Sequence, residues 1–354
     1  MRGIRSRSAW SIVVAGLSLG GTEGCARAAA EPPAHWTATK EAQELVADPN
    51  LLARMFKALD AARSAGTDPV ISKFNVRAAT VIRHAGGEKT ILGGNSEYRV
   101  PEAIHGETSL MNHVITEVGP EAAKAEVGFI AFYGERCGGG GSCGDCRDYL
   151  LATTRWQDLL IVCGQASDHT VHVDRFAKGI VPEDRFPEVP ADGTGLTPAQ
   201  LDSLVEAALG ARAGGIRLFT PPEDHLGVAI LTTAGKVYRA AGADDAAFHY
   251  RYPLGAALQQ AATERDYFVR AVVVAGDPGR TPRVSYRDRQ YGYEFSSFNR
   301  KRGLAPIRLI VVDGAKGGAR RYRATTFEDA LPGAFSTADF MPDAVDKFLQ
   351  TAPR

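Results

Sequence analysis

His105-Gly106-Glu107 and Ser142-Cys143-Gly144-Asp145-Cys146, with 34 residues between Glu107 and Ser142, decide the reading of this chain. His105, Cys143 and Cys146 are three good zinc ligands, and three protein ligands leave one tetrahedral position open. An open position is what a catalytic metal needs to bind and acidify a water. Glu107 is a carboxylate two residues from the first ligand, placed to move protons. Cys-x-x-Cys on the first turn of a helix aims both sulfurs at one point. The helix N-terminus favours their negative charge. Arg147 follows directly and offsets more of it. The strand-like run Val127–Tyr133 (VGFIAFY) leads into the cysteine loop.

Other readings share these residues. A structural zinc site or a redox-active Cys pair uses the same Cys-x-x-Cys. Gly139-x-Gly141-x-x-Gly144 matches the dinucleotide fingerprint, but Gly164 stands where that fingerprint wants an acid. A metal-keeping, non-catalytic binding protein is a further alternative. Retention of Glu107, which no structural site requires, argues against it.

The pattern is the H-x-E…P-C-x-x-C signature of zinc deaminases, with Ser142 in place of Pro. The region resembles the cytidine deaminase family beyond the metal motif. Ser72–Ala79 (SKFNVRAA) resembles that family's first strand, S-x-F-x-V-G-A-A, with Arg77 for its Gly. The resemblance implies that Phe74 lies against a pyrimidine ring. Gly94-Asn95-Ser96-Glu97 resembles G-x-N-x-E, which implies that Asn95 and Glu97 bind sugar hydroxyls. Cys143–Arg147 resembles C-G-x-C-R. His105-Gly106-Glu107 is closer to the H-A-E of two-domain members than to the C-A-E of short ones.

A second copy of the pattern follows. Thr197 caps a helix with Pro198 at its first position, and Leu201, Leu204, Val205, Ala208 and Leu209 recur at helical spacing. Gly227–Arg239 (GVAILTTAGKVYR) reads as a hairpin and resembles the family's opening hairpin again. Leu331–Phe335 resembles its C-terminal segment. This copy lacks the chemistry: Gly242-Ala243-Asp244 stands at the N-x-E position, Tyr250–Leu258 holds neither ligand nor Glu, and no cysteine follows Cys163. His249 remains nearby as a single His. The resemblance therefore implies an α/β fold of two tandem three-layer α/β/α domains with mixed five-stranded sheets. The expected boundaries are a leader at 1–30, a zinc-bearing catalytic domain at 31–190 and a metal-free copy at 191–354.

Composition agrees with two folded domains: 354 residues, 44% hydrophobic and 23% charged. With 41 basic and 41 acidic residues the formal net charge is zero, which argues against reliance on a nucleic-acid backbone. Arg280–Arg302 interleaves seven Arg and Lys with aromatics, a pattern that suits stacked single-stranded bases or a solvated counterpart of the cysteine loop. Cys163 ends the apolar run Asp158–Gly164 and is expected as a packed core thiol. Cys25 falls in the leader, Cys137 has no assigned role, and five cysteines make no disulfide framework. Arg2, Arg5 and Arg7 precede an apolar stretch, Ala9–Leu19, too short to span a membrane, and Ala28-Ala29-Ala30 offers a cleavage site. This predicts a periplasmic or secreted protein, with an over-extended start, and hence the cytoplasm, as the alternative. Helices are expected at Thr37–Ala47 and Leu51–Ala65.

The expected activity is zinc-dependent hydrolytic deamination of a cytidine-like nucleoside to its uridine counterpart plus ammonia, as in pyrimidine salvage. Glu107 is the expected proton carrier. A related amino-heterocycle or nucleotide is the alternative substrate. The expected partners are a small-molecule nucleoside and a second copy of the chain in a homodimer.

Overall fold

The computed structural model describes residues 35–84, 87–97, 103–134, 142–219, 225–244, 250–277, 280–313 and 320–352. The leader, Cys25, Cys137, Gly139, Gly141 and His249 lie outside them. The fold is α/β. The first half supplies β1 (Thr37–Ala38), α1 (Pro49–Ala62), β2 (Arg77–His84), β3 (Gly87–Gly94), α2 (Gly106–Val118), β4 (Phe129–Gly134), α3 (Gly144–Thr153), β5 (Leu160–Gln165) and β6 (Thr170–Arg175). The second half supplies β7 (Glu188–Val189), α4 (Pro198–Ala213), β8 (Gly227–Thr232), β9 (Val237–Ala241), α5 (Pro253–Thr263), β10 (Val269–Ala275), α6 (Tyr286–Lys301), β11 (Arg308–Asp313) and β12 (Arg321–Thr326).

The strand order is β1-β6-β5-β4-β2-β3 in one sheet and β7-β12-β11-β10-β8-β9 in the other. Adding six to each strand of the first order gives the second. In both, an antiparallel hairpin pairs antiparallel with the third core strand, the third pairs parallel with the fourth, and the fourth antiparallel with the fifth. Each sheet has six strands rather than five, because a two-residue strand closes one edge. That strand runs parallel in the first sheet and antiparallel in the second. Few pairs run parallel, so neither sheet is the parallel array of a dinucleotide fold. Residues His35–Arg354 form one compact unit, so the two halves pack on each other.

Side-chain alternation explains the three layers. In β10, Val272 and Val274 join the core toward α5 and α6, while Ala271, Val273 and Ala275 join the core toward α4. A strand buried on both faces reads as a continuous apolar run, as this one does. Thr197 is the N-cap as expected, and it also forms a capping box with Gln200.

Several local expectations are corrected. Thr37 and Ala38 pair with Thr170 and Val171 as a strand, and the helix that follows begins only at Lys40, capped by Thr39. The Ser72–Ala79 strand begins at Arg77, because Asn95 and Glu97 hold residues before it as a loop. Cys163 is half-buried and disulfide-bonded, not a packed thiol. Arg280–Arg302 is mostly α6, with Tyr286 and Arg289 buried, so those two offer no surface for stacked bases. Among the described residues no helix is long and apolar enough to cross a membrane.

Candidate metal centre

His105 is the N-cap of α2, its backbone still extended (φ −79°, ψ 152°), so the imidazole stands at the helix mouth. The helix is seated by close approach. A Cβ on Gly93 would lie 2.4 Å from Leu110 N, and one on Gly106 would lie 2.8 Å from Val76 Cγ1. Gly therefore replaces the Ala of the H-A-E pattern because Val76 fills that space. Cys143 is the N-cap of α3, and its Sγ accepts from the Cys146 N–H at 3.5 Å. The two helix mouths meet: His105 Nδ1 lies 3.1 Å from Cys143 Sγ and 3.2 Å from Cys146 Sγ. The ligand atoms of these three residues all lie within 4.8 Å of one another.

The donor set fits zinc. One imidazole and two thiols converge at spacings near the roughly 3.6 Å that tetrahedral Zn–N and Zn–S bonds require. Both cysteines are free and buried. The protons report the same crowding. Cys143 is pushed down to about 6 by its hydrogen bond with Cys146, and further by His105, against the effect of burial. Cys146 is pushed well up by its bond to Cys143, by burial and by the charge of Glu107. His105 is raised to about 9, chiefly by its bond to Cys143.

Glu107 lies in the first turn of α2, 7% exposed, close enough to Cys146 to act on its thiol. Arg147 is fully buried, but its guanidinium donates to the carbonyls of Ser142, Gly179 and Pro332, each at 2.7 Å, rather than to a thiol. Burial lowers it to about 10. Ser142 is buried, and its hydroxyl has no hydrogen-bond partner among the described residues.

The remaining expected residues meet at the loop that leads into β2. Asn95 Oδ1 accepts from Val76 N–H and its amide donates to Phe74 O. Glu97 accepts from the N–H groups of Ile71 and Ser72, both at 2.7 Å, and from the Ser72 hydroxyl. Burial opposes ionisation of Glu97, but these bonds prevail and hold its carboxyl below the usual range. Phe74 stands on the same loop, 49% exposed.

The second half carries an equivalent frame with different chemistry. Tyr252 is the N-cap of α5 where His105 caps α2, which puts Leu254 in the place of Glu107. Ser285 caps α6 where Cys143 caps α3, which puts Asp288 in the place of Cys146 and Arg289 in that of Arg147. The arginines confirm the register: Arg289 Nε donates to Val284 O and Arg147 Nε to Ser142 O, each five residues back. Asp244 matches Glu97 and accepts from Leu218 and Phe219 N–H. The sequence reading offered Arg280–Arg302 as a counterpart of the cysteine loop but missed Ser285-x-x-Asp288-Arg289 within it, because the cysteines were its only anchor. The Arg that ends both motifs was the available signal.

No family model matches the chain, and no curated protein matches it. Among solved structures it is similar to a cytidine deaminase from Burkholderia pseudomallei, at 23% identity over 38% of this chain and 98% of that one, with a TM-score of 0.32. Cytidine deaminases from Mycobacterium tuberculosis (20% identity, 37% of this chain, 94% of that one) and Mycobacterium leprae (21%, 37%, 97%) each have a TM-score of 0.25. Likenesses this distant add nothing to the geometry of the site.

Proposed function

We propose that the chain is a zinc-dependent hydrolase that deaminates a cytidine-like nucleoside. The observation that carries this reading is the convergence of His105, Cys143 and Cys146 beside a buried carboxylate, Glu107, that is not part of the cluster. Zinc, when bound, would supply the Lewis acidity that makes a water nucleophilic near neutral pH. His105, Cys143 and Cys146 would hold it. Glu107 would take the proton of the attacking water, deliver it to N3 of the ring, and pass a proton to the amino group leaving C4 as ammonia. Its buried place in the first turn of α2 keeps the carboxylate out of bulk water. Phe74 would face the ring. Asn95 and Glu97, just after β3, bond to the loop that carries Phe74 and stand ready to exchange those backbone bonds for sugar hydroxyls.

On this reading residues 31–190 are the catalytic domain, 191–354 the metal-free domain, and two chains pair as a homodimer. One observation favours a related amino-heterocycle as the substrate: the Ser142 hydroxyl, buried beside the first thiol and without a partner among the described residues, which the family's Pro could not offer. The test is ammonia release by the zinc-loaded protein from cytidine, deoxycytidine, cytosine, CMP, adenosine and guanine. Release from cytidine or deoxycytidine supports the main reading, and release only from another base supports the second. Zinc binding without any release would point to the non-catalytic alternative.

A further inference from the structure

We propose that Gln290, contributed by the second half, is a positioning residue of the metal site. The inference rests on the reading above only in that the His-Cys-Cys cluster takes a metal. It does not require deamination. The first amides of any helix have no acceptor within the helix. In α3 the first of these is Gly144 N–H, which directly follows the ligand Cys143. It donates to Gln290 Oε1 at 3.2 Å across 146 residues of sequence. The Gln290 amide is itself fixed, because its Nε2 donates to Phe335 O at 2.7 Å. Gln290 thus holds the turn that carries both thiols.

The arrangement is reciprocal, and its asymmetry is informative. Asp148 on α3 occupies the position that Gln290 occupies on α6, each following its buried Arg. Asp148 accepts from Tyr286 and Arg287 N–H at 3.0 and 2.9 Å, capping the start of α6. The helix mouth without a metal receives a carboxylate. The mouth with two thiols receives a neutral amide. Cys143, Cys146, Glu107 and Asp145 already concentrate negative charge there, and a second-half carboxylate would add to it. Arg287 answers Asp145 at 2.8 Å from the same helix turn. The end of α6 is itself secured by Asp288, which accepts from Gly255 N–H at 3.1 Å where a ligand stands in the first half.

The experiment compares full-length wild type with Gln290→Leu, Gln290→Glu and, as control, Asn299→Ala. Asn299 lies on the same helix, and its amide donates to Val269 and Ala305 carbonyls away from the site. Zinc affinity is measured by competition with a chromogenic chelator, and site geometry by the thiolate-to-cobalt absorption band of the Co(II)-loaded protein. Gln290→Leu should weaken zinc binding by about 10–100-fold, the range for groups that orient ligands, and shift the cobalt band. Gln290→Glu keeps the acceptor but adds a carboxylate beside the thiols and loses the amide that donates to Phe335 O, so it should recover only part of the band and of the affinity. Asn299→Ala should lower stability but leave affinity and band unchanged. Should Gln290→Leu fail to fold, Gln290→Asn, one methylene too short, reads the same thing. Wild-type affinity and band in Gln290→Leu, or equal losses in Asn299→Ala, would overturn the role of Gln290. A wild-type chain that binds neither zinc nor cobalt would overturn the metal reading itself.

Discussion

Gly144→Ala should break the contact on which the metal helix rests. The start of α3 touches the start of α6 so closely that a Cβ on Gly144 would lie 2.0 Å from Tyr286 O, 2.6 Å from Tyr286 C and 2.7 Å from Gln290 Cβ. The first two are backbone atoms of a helix and cannot rotate away, so the helix ends would have to part by about 1.5 Å to reach ordinary contact. Overpacking of this kind costs about 1–3 kcal/mol. Parting the helices also stretches the Gly144-to-Gln290 bond and both bonds to Asp148, at about 1 kcal/mol or more each. The better helix propensity of Ala returns at most about 1 kcal/mol. A net loss of roughly 3 kcal/mol, with reduced zinc content, is the expected outcome. Chemical unfolding followed by circular dichroism reads the first, and metal analysis the second. Gly128→Ala is the control, since nothing lies within 4 Å of its Cβ position. A Gly144→Ala protein within about 0.5 kcal/mol of wild type and with full zinc would refute the reasoning.

Four further outcomes are expected. Metal analysis should find one zinc per chain, and Cys143→Ala should abolish it and lower the thermal midpoint, because metal binding is coupled to folding. Glu107→Gln should keep zinc but lose kcat by several orders of magnitude on the proposed substrate, and near-normal turnover would exclude Glu107 as the proton carrier. Asp288 is fully buried and pushed up to about 7, chiefly by desolvation. The folded state therefore holds that proton more tightly than the unfolded chain. Its contribution to stability is complete below about pH 4 and is lost as pH rises through about 7. Unfolding measured from pH 5 to 8 should show this decline, and Asp288→Asn should flatten it. Glu97→Gln should speed hydrogen exchange of the Ile71 and Ser72 amides by about tenfold, and Asp244→Asn should do the same at Leu218 and Phe219. Unchanged exchange in either variant would mean that the carboxylate does not hold its loop.

Much of the site was legible because its chemistry is local. Cys143 and Cys146 sit three apart on one helix turn, and His105 and Glu107 two apart on another, so residue type and spacing alone name them. The continuous apolar runs Val228–Leu231 and Ala271–Val274 mark strands buried on both faces by the same local logic. The strand at Thr37–Ala38 was not legible, since its partner, Thr170–Val171, is more than 130 residues away and two residues carry no period. The loop-holding bonds of Asn95 and Glu97 were hidden for a similar reason. A polar turn looks alike whether its side chains face a sugar or a backbone amide.

The sequence by itself determined which residues could serve as ligands, the α/β pattern and the lack of any cysteine after Cys163, because these depend on residue identity and short periods. Only the tertiary structure decided that the two helix mouths of the first half meet at 3.1 and 3.2 Å. Only it showed that Ser285 and Asp288 stand where the thiols stand, and that Gln290 and Asp148 cap each other's helices across the join. The physical reason is that an unpaired helix amide takes whichever acceptor packing brings within about 3 Å. Here that acceptor lies 146 residues along the chain, where no local pattern can announce it.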